Sequence, residues 1–204
     1  MMECKTVTSR TSGMEGLLYS PPRDQDDGRT LLYLHGRGGF RTGIPGLFEY
    51  PDLPSLLRRG MDLPCRVLIP SCHVGEHWEP ALIADFLDDV DGTSRSGEYD
   101  VVGYSRGGSG AYQFAAAHTE RVRTLAVIAT SARPEVVSQI AALPTLICHG
   151  MHDPHKPLSD ARAMHALLLA AGSRCTLELI EGDHFIIGHV FASGLVFRWQ
   201  RAVA

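Results

Sequence analysis

Residues 100–118 read DVVGYSRGGSGAYQFAAAH, and this stretch decides the fold. It begins with a short apolar run, DVV, and ends in a segment rich in small residues, which is typical of a helix packed closely on a sheet. Between the two, residues 103–107 fit the pattern G-x-S-x-G. The pattern predicts a tight strand-to-helix turn on which Ser105 projects above the sheet, near the positive end of the helix. The alternative is a glycine-rich turn in which the serine is incidental.

Outward from this stretch, short apolar runs alternate with helical patterns. Five further runs predict strands: residues 31–34 (LLYL), 66–69 (RVLI), 125–129 (LAVIA), 145–148 (TLIC) and 176–180 (TLELI). Most are continuously apolar, as strands buried on both faces of a parallel sheet are. Helical periodicity lies between them, in residues 80–90, 108–118, 159–170 and 190–203. The alternation predicts a single α/β domain over residues 1–204, with a mostly parallel sheet flanked by helices. The segment before Ser20 is expected to add one or two antiparallel edge strands.

Composition narrows the class of protein. A chain of 204 residues with 44% hydrophobic residues suits one globular domain with a substantial core. The net charge of −4 gives no indication of an electrostatic grip on nucleic acid. No run of about 20 apolar residues is present, so no membrane span is expected. Five scattered cysteines and no export signal predict a cytoplasmic protein with reduced thiols. The oligomeric state stays open between a monomer and a homodimer, for which the last strand and helix offer an edge.

The sequence offers an acid and a base that would activate Ser105. Asp153 follows the strand predicted at residues 145–148, so its carboxylate can reach over the sheet edge toward the serine. The alternative is a turn aspartate before a proline. The base must hydrogen-bond both the serine and the acid, and His184, in the loop before the last helical pattern, suits that role. Among ten histidines the main rival is His189, at the start of a helix.

Residues 35–39 (HGRGG) follow the run LLYL and are expected to form an oxyanion loop. The tetrahedral oxyanion of acyl transfer needs preorganised N–H donors, and losing one typically costs about 2.7–4 kcal/mol of barrier. We expect one donor to be the amide of Arg106, directly after the serine, and the other to be the amide of Arg37, with Gly38 as the alternative. His35 is expected to be structural, packed under the loop.

The candidates run in the order Ser105, Asp153, His184, which is the chain order of the α/β hydrolases. The segments LLYLHGRGGF, VVGYSRGGSGAYQFA, LICHGMHDPHKP and IEGDHF span residues 31–185. In these segments the chain resembles the α/β-hydrolase family, and most of all its small lidless carboxylesterases, the phospholipase/carboxylesterase and dienelactone-hydrolase-like group. The resemblance implies hydrolysis of small-molecule esters or thioesters through an acyl-serine, with no cofactor. Dienelactone hydrolases proper use cysteine as the nucleophile, whereas this chain has serine. No long insertion interrupts residues 130–144, so no cap domain is expected.

The loop of residues 71–80 (SCHVGEHWEP) is expected to shape an open substrate pocket. His77 and Trp78, together with Gly38, are the candidate substrate-binding residues. For Trp78 the alternative is packing beneath the loop, and the sequence favours neither. If the loop lines the site, its composition sets specificity for the acyl or the alcohol group.

Arginines cluster around the expected site. Two interpretations are open for Arg37, Arg41 and Arg106. In one, their guanidinium groups bind a carboxylate or another anion of the substrate. The simpler interpretation is that they face solvent or pair with nearby acids. Metal binding is not expected, because the histidines of residues 73–77 lie in a glycine-containing loop and those of 149–155 overlap the candidate acid. Two other functions stay open: a serine peptidase or amidase on the same fold, and a non-catalytic binding protein that keeps it.

Overall fold

The computed structural model describes residues 1–37, 43–72, 77–91 and 97–203. Within these ranges one eight-stranded sheet is formed by β1 (Glu3–Thr8), β2 (Glu15–Ser20), β3 (Thr30–Leu34), β4 (Arg66–Pro70), β5 (Tyr99–Tyr104), β6 (Val122–Ile128), β7 (Thr145–Gly150) and β8 (Cys175–Ile180). The helices are α1 (Leu53–Arg58), α2 (Pro80–Val90), α3 (Arg106–Ala117), α4 (Val137–Ile140), α5 (Leu158–Ala170), α6 (Ile187–Ala192) and α7 (Leu195–Val203). None of the helices in these ranges has the length and apolarity that crossing a membrane requires.

The sheet has the order β1-β2-β4-β3-β5-β6-β7-β8 and is mostly parallel, as predicted. β3 to β8 are parallel to their neighbours, whereas β2 pairs antiparallel with β4, and β1 pairs antiparallel with β2 at the edge. β3, β5 and β7 are buried along their whole length, which explains their continuous apolar sequences. β1 is largely exposed, as an edge strand can be.

Helices cover both faces of the sheet, so the protein has two apolar cores. The first lies between the sheet and α2, α3 and α5, with Phe86, Phe114 and Met164 among its buried side chains. The second lies against α1, α6 and α7, and includes Leu53 and Phe197. Alternate side chains of each strand enter opposite cores, because successive residues of a strand face opposite ways. The structure therefore has the three-layer arrangement that the sequence pattern predicted.

One expectation about the helices was wrong, and one helix was not predicted. Residues 190–203 do not form one helix: α6 ends at Ala192 and α7 begins at Leu195. Gly194 lies between them with φ +67°, a left-handed conformation that ends a helix and that glycine adopts at little cost. The sequence pattern also missed α1, which begins directly after Asp52. The connection from β6 to β7 contains a 3₁₀ turn (Pro134–Val136) and α4, and no cap domain, as expected.

The topology brings four loops together. Because the carboxyl ends of parallel strands lie at the same edge of a sheet, the segments that follow β3, β5, β7 and β8 meet there. These segments carry Arg37, Ser105, Asp153 and His184 respectively. The candidate residues therefore share one edge of the molecule although they are up to 147 positions apart in the sequence (184 − 37).

Candidate active site

Ser105 occupies a sharp turn between β5 and α3. Its backbone has φ +54°, in the left-handed region that residues other than glycine rarely adopt. Such a conformation costs about 1–3 kcal/mol and persists only where the surroundings enforce it. Here the Ser105 amide donates to Ile128 O at 2.8 Å, and the Thr130 hydroxyl donates to Ser105 O at 2.7 Å. The neighbouring strand β6 and the residues after it therefore hold the turn in place.

The two glycines of the G-x-S-x-G pattern are required by close backbone approach. A Cβ atom on Gly107 would lie 1.9 Å from the carbonyl oxygen of Leu34 in β3. A Cβ atom on Gly103 would lie 2.3 Å from the carbonyl oxygen of Gly107. Both distances are far inside van der Waals contact and both involve backbone atoms, which cannot swing aside. Only glycine at position 107 lets α3 begin this close to β3, and only glycine at position 103 lets β5 pass this close to α3.

Ser105, His184 and Asp153 form a continuous hydrogen-bond chain. His184 Nε2 lies 2.9 Å from Ser105 Oγ, and His184 Nδ1 lies 2.7 Å from Asp153 Oδ2. The other carboxylate oxygen, Asp153 Oδ1, accepts the backbone amides of His155 at 2.8 Å and Lys156 at 2.9 Å. The Asp153 side chain is fully buried and His184 is 7% exposed. The structure thus brings together the three residues that the sequence singled out.

The surroundings of Asp153 favour its charged form. Burial alone would raise the pKa of Asp153, but the hydrogen bonds from His184 and from the amides of His155 and Lys156 outweigh it and lower the pKa below its ordinary value. An ionised Asp153 accepts a proton-bearing Nδ1 of His184, which leaves Nε2 as the acceptor that faces Ser105 Oγ. This tautomer is the one that can remove a proton from the serine.

A buried carboxylate that the sequence did not single out supports the loop after β3. Asp52 Oδ2 accepts the backbone amide of Gly36 at 3.3 Å. Its Oδ1 accepts the Leu53 amide at 2.7 Å, which caps α1, and also accepts the hydroxyl of Tyr33. Burial raises the pKa of Asp52, partly offset by these hydrogen bonds. The only sequence signal for Asp52 is that of an aspartate one residue before an apolar helical pattern.

His35 joins the loops that follow β3 and β4. Its Nδ1 lies 2.8 Å from Gly36 O, and its Nε2 accepts the Cys72 amide at 3.1 Å. A neutral ring with its proton on Nδ1 satisfies both contacts, whereas an imidazolium would set an Nε2 proton against the amide of Cys72. Burial lowers the pKa of His35 to about 4. The expected structural role of His35 is confirmed by these contacts.

This neutral histidine predicts a loss of stability in mild acid. Since the pKa of His35 falls from 6.5 to about 4 on folding, the unfolded chain binds the extra proton between these values, and stability falls as the pH is lowered. The loss by pH 4 is about 3 kcal/mol at 1.36 kcal/mol per pKa unit. Urea unfolding from pH 7 to pH 4.5 should show a shallower pH dependence in His35→Gln than in the wild type. His165→Gln, on α5, is the control and should follow the wild type; parallel curves for all three proteins would contradict the prediction.

A cavity of about 350 Å³, called the catalytic cavity below, opens beside Ser105 and His184. Arg106 lines it, as does the exposed Arg37, the two residues expected to supply oxyanion donors. Gly38, the alternative donor and a candidate substrate contact, lies outside the described residues, as does Arg41. Phe185 and Tyr50 line the cavity with 50% and 41% of their surfaces exposed. These two rings give its entrance an apolar, aromatic character.

A second cavity, of about 610 Å³, adjoins the first across Arg106 and Lys156, and His77 and Trp78 line this one. His77 is exposed. Trp78 is 3% exposed, its ring packs on His35 at 4.8 Å between centroids, and its Nε1 donates to His35 O at 3.3 Å. Packing in the core against His35 is therefore the main environment of Trp78. Both residues line the second cavity and not the catalytic cavity.

Two alternatives from the sequence gain no support from the geometry. His189 is exposed on α6, whereas the ring of His184 is the one within 2.9 Å of Ser105. Across the described ranges, no three side chains of histidine, cysteine, aspartate or glutamate are grouped so that they could coordinate a metal ion.

The fold of this chain is similar to those of solved hydrolase structures. The chain superposes on the crystal structure of a thermostable esterase with a TM-score of 0.68 and 18% identity, covering 98% of this chain and 62% of that one. It matches a predicted CIB-like hydrolase from Thermoplasma acidophilum with a TM-score of 0.70 and 15% identity, over 98% and 100% of the two chains. It matches a ferulic acid esterase with a TM-score of 0.71 and 13% identity, over 100% and 98%. No protein-family model and no curated protein sequence matches the chain.

Proposed function

We propose that this chain, which has the α/β-hydrolase fold, is a serine hydrolase that cleaves carboxylic esters or thioesters through an acyl-serine intermediate. The observation that carries the proposal is the hydrogen-bond chain from Ser105 through His184 to Asp153, at 2.9 and 2.7 Å, on a strained strand-to-helix turn. The spacing and the roles of the atoms are those of a nucleophile, a base and an orienting acid. Esterases among the structural relatives are consistent with the proposal.

In the proposed first half-reaction, Ser105 Oγ attacks the carbonyl carbon while its proton passes to His184 Nε2. Asp153 stabilises the imidazolium that forms, because its carboxylate is ionised and buried against Nδ1. The carbonyl oxygen becomes an oxyanion, which we assign to the backbone amides of Arg106 and Arg37. The carbon–oxygen or carbon–sulfur bond of the leaving group then breaks, and the leaving group takes the proton from His184. The acyl group remains on Ser105.

In the proposed second half-reaction, water replaces the leaving group. His184 removes a proton from the water, the resulting hydroxide attacks the acyl carbon, and the proton returns to Ser105 Oγ as the acid departs. The volume of the catalytic cavity, about 350 Å³, suits a small or medium substrate. The exposed rings of Tyr50 and Phe185 favour an apolar group at its entrance. In this proposed mechanism Ser105, His184, Asp153 and water take every bond-forming and proton-transfer role.

The experiment that tests the proposal combines active-serine labelling with ester hydrolysis. The wild type should react with a fluorophosphonate probe and hydrolyse p-nitrophenyl esters from acetate to decanoate with a preferred chain length. Ser105→Ala should lose both activities, whereas Ser159→Ala, an exposed serine of α5, should retain both. Labelling without ester hydrolysis would redirect the substrate class to thioesters or amides. Absence of both in the wild type would overturn the proposal in favour of a non-catalytic binding protein.

A further inference from the structure

The second cavity, called the basic cavity below, is lined by an excess of positive charge. Arg106, Arg133 and Lys156 line it, and Glu79 is the one carboxylate among its described lining residues. The whole chain carries a net charge of −4, so this concentration of cations departs from the average charge of the protein. Positively charged side chains that lie close together repel one another unless a bound anion or nearby carboxylates offset their charge. A cavity with this lining is suited to a ligand that carries negative charge.

Local contacts hold the backbone of Lys156, and the side chain of Arg133 keeps hydrogen-bonding capacity. Lys156 is fixed by the loop of the candidate acid: its amide donates to Asp153 Oδ1, and its carbonyl oxygen lies 3.0 Å from Nε2 of the buried His149. Arg133 Nη1 makes a surface contact with Glu135 Oε1 at 3.5 Å, at the limit of a hydrogen bond. Its Nε is buried and has no hydrogen-bond partner among the described residues. A buried donor without a partner is costly, so the guanidinium of Arg133 has hydrogen-bonding capacity that the described residues do not use.

The basic cavity borders the catalytic cavity. Arg106 and Lys156 line both cavities, and Arg106 directly follows Ser105. A substrate whose carbonyl carbon lies at Ser105 would reach the basic cavity by extending past these two side chains, and that route is part of the inference below. Gln113 and Ser131, which also line it, add uncharged polar groups that can bind oxygen atoms of the same ligand. Because Arg106 and Lys156 line both cavities, we connect the bound anion with the substrate of Ser105 and not with a separate ligand.

We propose that the basic cavity binds a carboxylate or a similar oxyanion group at the far end of the substrate, so that the preferred substrates are anionic esters; this inference rests on the proposed esterase function. Arg133 and Lys156 grip the anion, and Arg106 lies between it and the reacting carbon. Charge-assisted hydrogen bonds are stronger than neutral ones, and the planar guanidinium of Arg133 can bind two oxygens at once. The arrangement selects anionic esters over their neutral counterparts.

The kinetic test compares esters that differ only in one charge. One pair carries the carboxylate on the acyl part: p-nitrophenyl hemiglutarate and its methyl ester. The other carries it on the alcohol part: 4-acetoxybenzoate and its methyl ester. In at least one pair, kcat/KM should favour the carboxylate by about tenfold or more, the effect of one charge-assisted hydrogen bond. The preference should weaken between about 0.05 and 0.5 M salt, because ionic strength screens such contacts.

Matched variants connect the preference to the basic cavity. Arg133→Gln and Lys156→Gln should each remove most of the preference, since each removes one cation and leaves the backbone unchanged. Arg162→Gln, an exposed arginine of α5 that does not line the cavity, removes the same charge and should retain the preference. The pair of esters that responds identifies whether the acyl or the alcohol part enters the cavity. No preference in either pair, or a preference that survives both cavity variants, would overturn the proposal.

A binding measurement separates this inference from the proposed function. In Ser105→Ala the esters cannot form an acyl-enzyme, so calorimetry can measure the affinity of each intact ester. The carboxylate ester should bind about tenfold more tightly than its methyl ester, and Arg133→Gln added to the same background should abolish the difference. If hydrolysis fails but this difference is present, the cavity assignment survives and the catalytic proposal falls. If both esters bind equally to Ser105→Ala, the cavity assignment falls whatever the catalytic result.

Discussion

Replacing Asp153 with asparagine is expected to lower kcat by about four orders of magnitude, the effect of setting the wrong histidine tautomer in a serine-histidine-acid site. The two oxygens of Asp153 determine how an asparagine side chain would be oriented at this position. Oδ1 accepts two backbone amides, of His155 and Lys156, so the oxygen of an asparagine would be held at that position. Its NH₂ group would then face His184 Nδ1 and donate to it. The ring proton would be forced onto Nε2, which could no longer accept from Ser105.

The test measures kcat and KM for Asp153→Asn with the best p-nitrophenyl ester, beside Asp24→Asn as a control in an exposed loop. The defect should lie in kcat, because the ring orientation affects proton transfer and not substrate binding. Raising the pH should not restore the rate, since the tautomer is set by the asparagine amide. A variant that folds, as judged by its circular dichroism, and turns over within about tenfold of the wild type would remove Asp153 from the proposed mechanism.

The same substitution has a consequence for acid stability. Because the pKa of Asp153 is lower in the folded protein than its ordinary value, the ionised carboxylate contributes stability above about pH 4. That contribution is lost as the pH falls through the folded-state pKa. The contribution of His35 is lost earlier, between pH 6.5 and about 4, so the two groups act in successive pH ranges. Acid unfolding of this protein should therefore begin with His35 and continue with Asp153.

The fold was largely predictable because the strands are buried on both faces. Central strands such as β5 and β7 read as continuous apolar runs, and their positions follow from that pattern within two residues. The break between α6 and α7 was not predictable in the same way. Apolar residues continue at helical spacing on both sides of Gly194, and only the left-handed backbone there separates the two helices. Periodicity cannot distinguish a tolerated glycine from one that ends a helix.

Some residues of the candidate site can be recognised from the sequence around them, and others cannot. Ser105, Asp153 and His184 each lie within four residues after the end of a strand, and parallel topology carries such positions to one edge. Asp52 and Arg133 have no comparable signal. The contacts of Asp52 with Tyr33 and Gly36 depend on how the segment before α1 packs under β3, and Arg133 reaches the basic cavity from the loop after β6. Such residues can be recognised only once tertiary contacts are known.

Asp52 carries the second large effect that the structure predicts. Asp52→Ala removes a carboxylate that accepts three hydrogen bonds. The donors are the Tyr33 hydroxyl, the Gly36 amide and the Leu53 amide, and the last of these bonds caps α1. Burial, followed by the charge of Asp52, raises the pKa of Tyr33 well above its ordinary value, so its hydroxyl stays protonated and would be left without an acceptor in the core. We expect a loss of about 2–4 kcal/mol in the free energy of unfolding, from the lost cap and the unpaired donors.

Asp52→Asn separates this structural effect from an effect on catalysis. An asparagine oxygen at the Oδ1 position keeps the Leu53 cap and the Tyr33 contact, whereas its NH₂ at the Oδ2 position meets the donor Gly36 N–H. Gly36 directly precedes Arg37, whose amide we assign to the oxyanion, so this local repulsion should displace that donor. Because a displacement of about 1 Å can cost roughly 100-fold in rate, we expect kcat to fall by about that factor while KM and the urea midpoint change much less. If Asp52→Asn loses stability in proportion to Asp52→Ala but keeps its kcat, Asp52 is a structural residue of α1 and does not position the oxyanion loop.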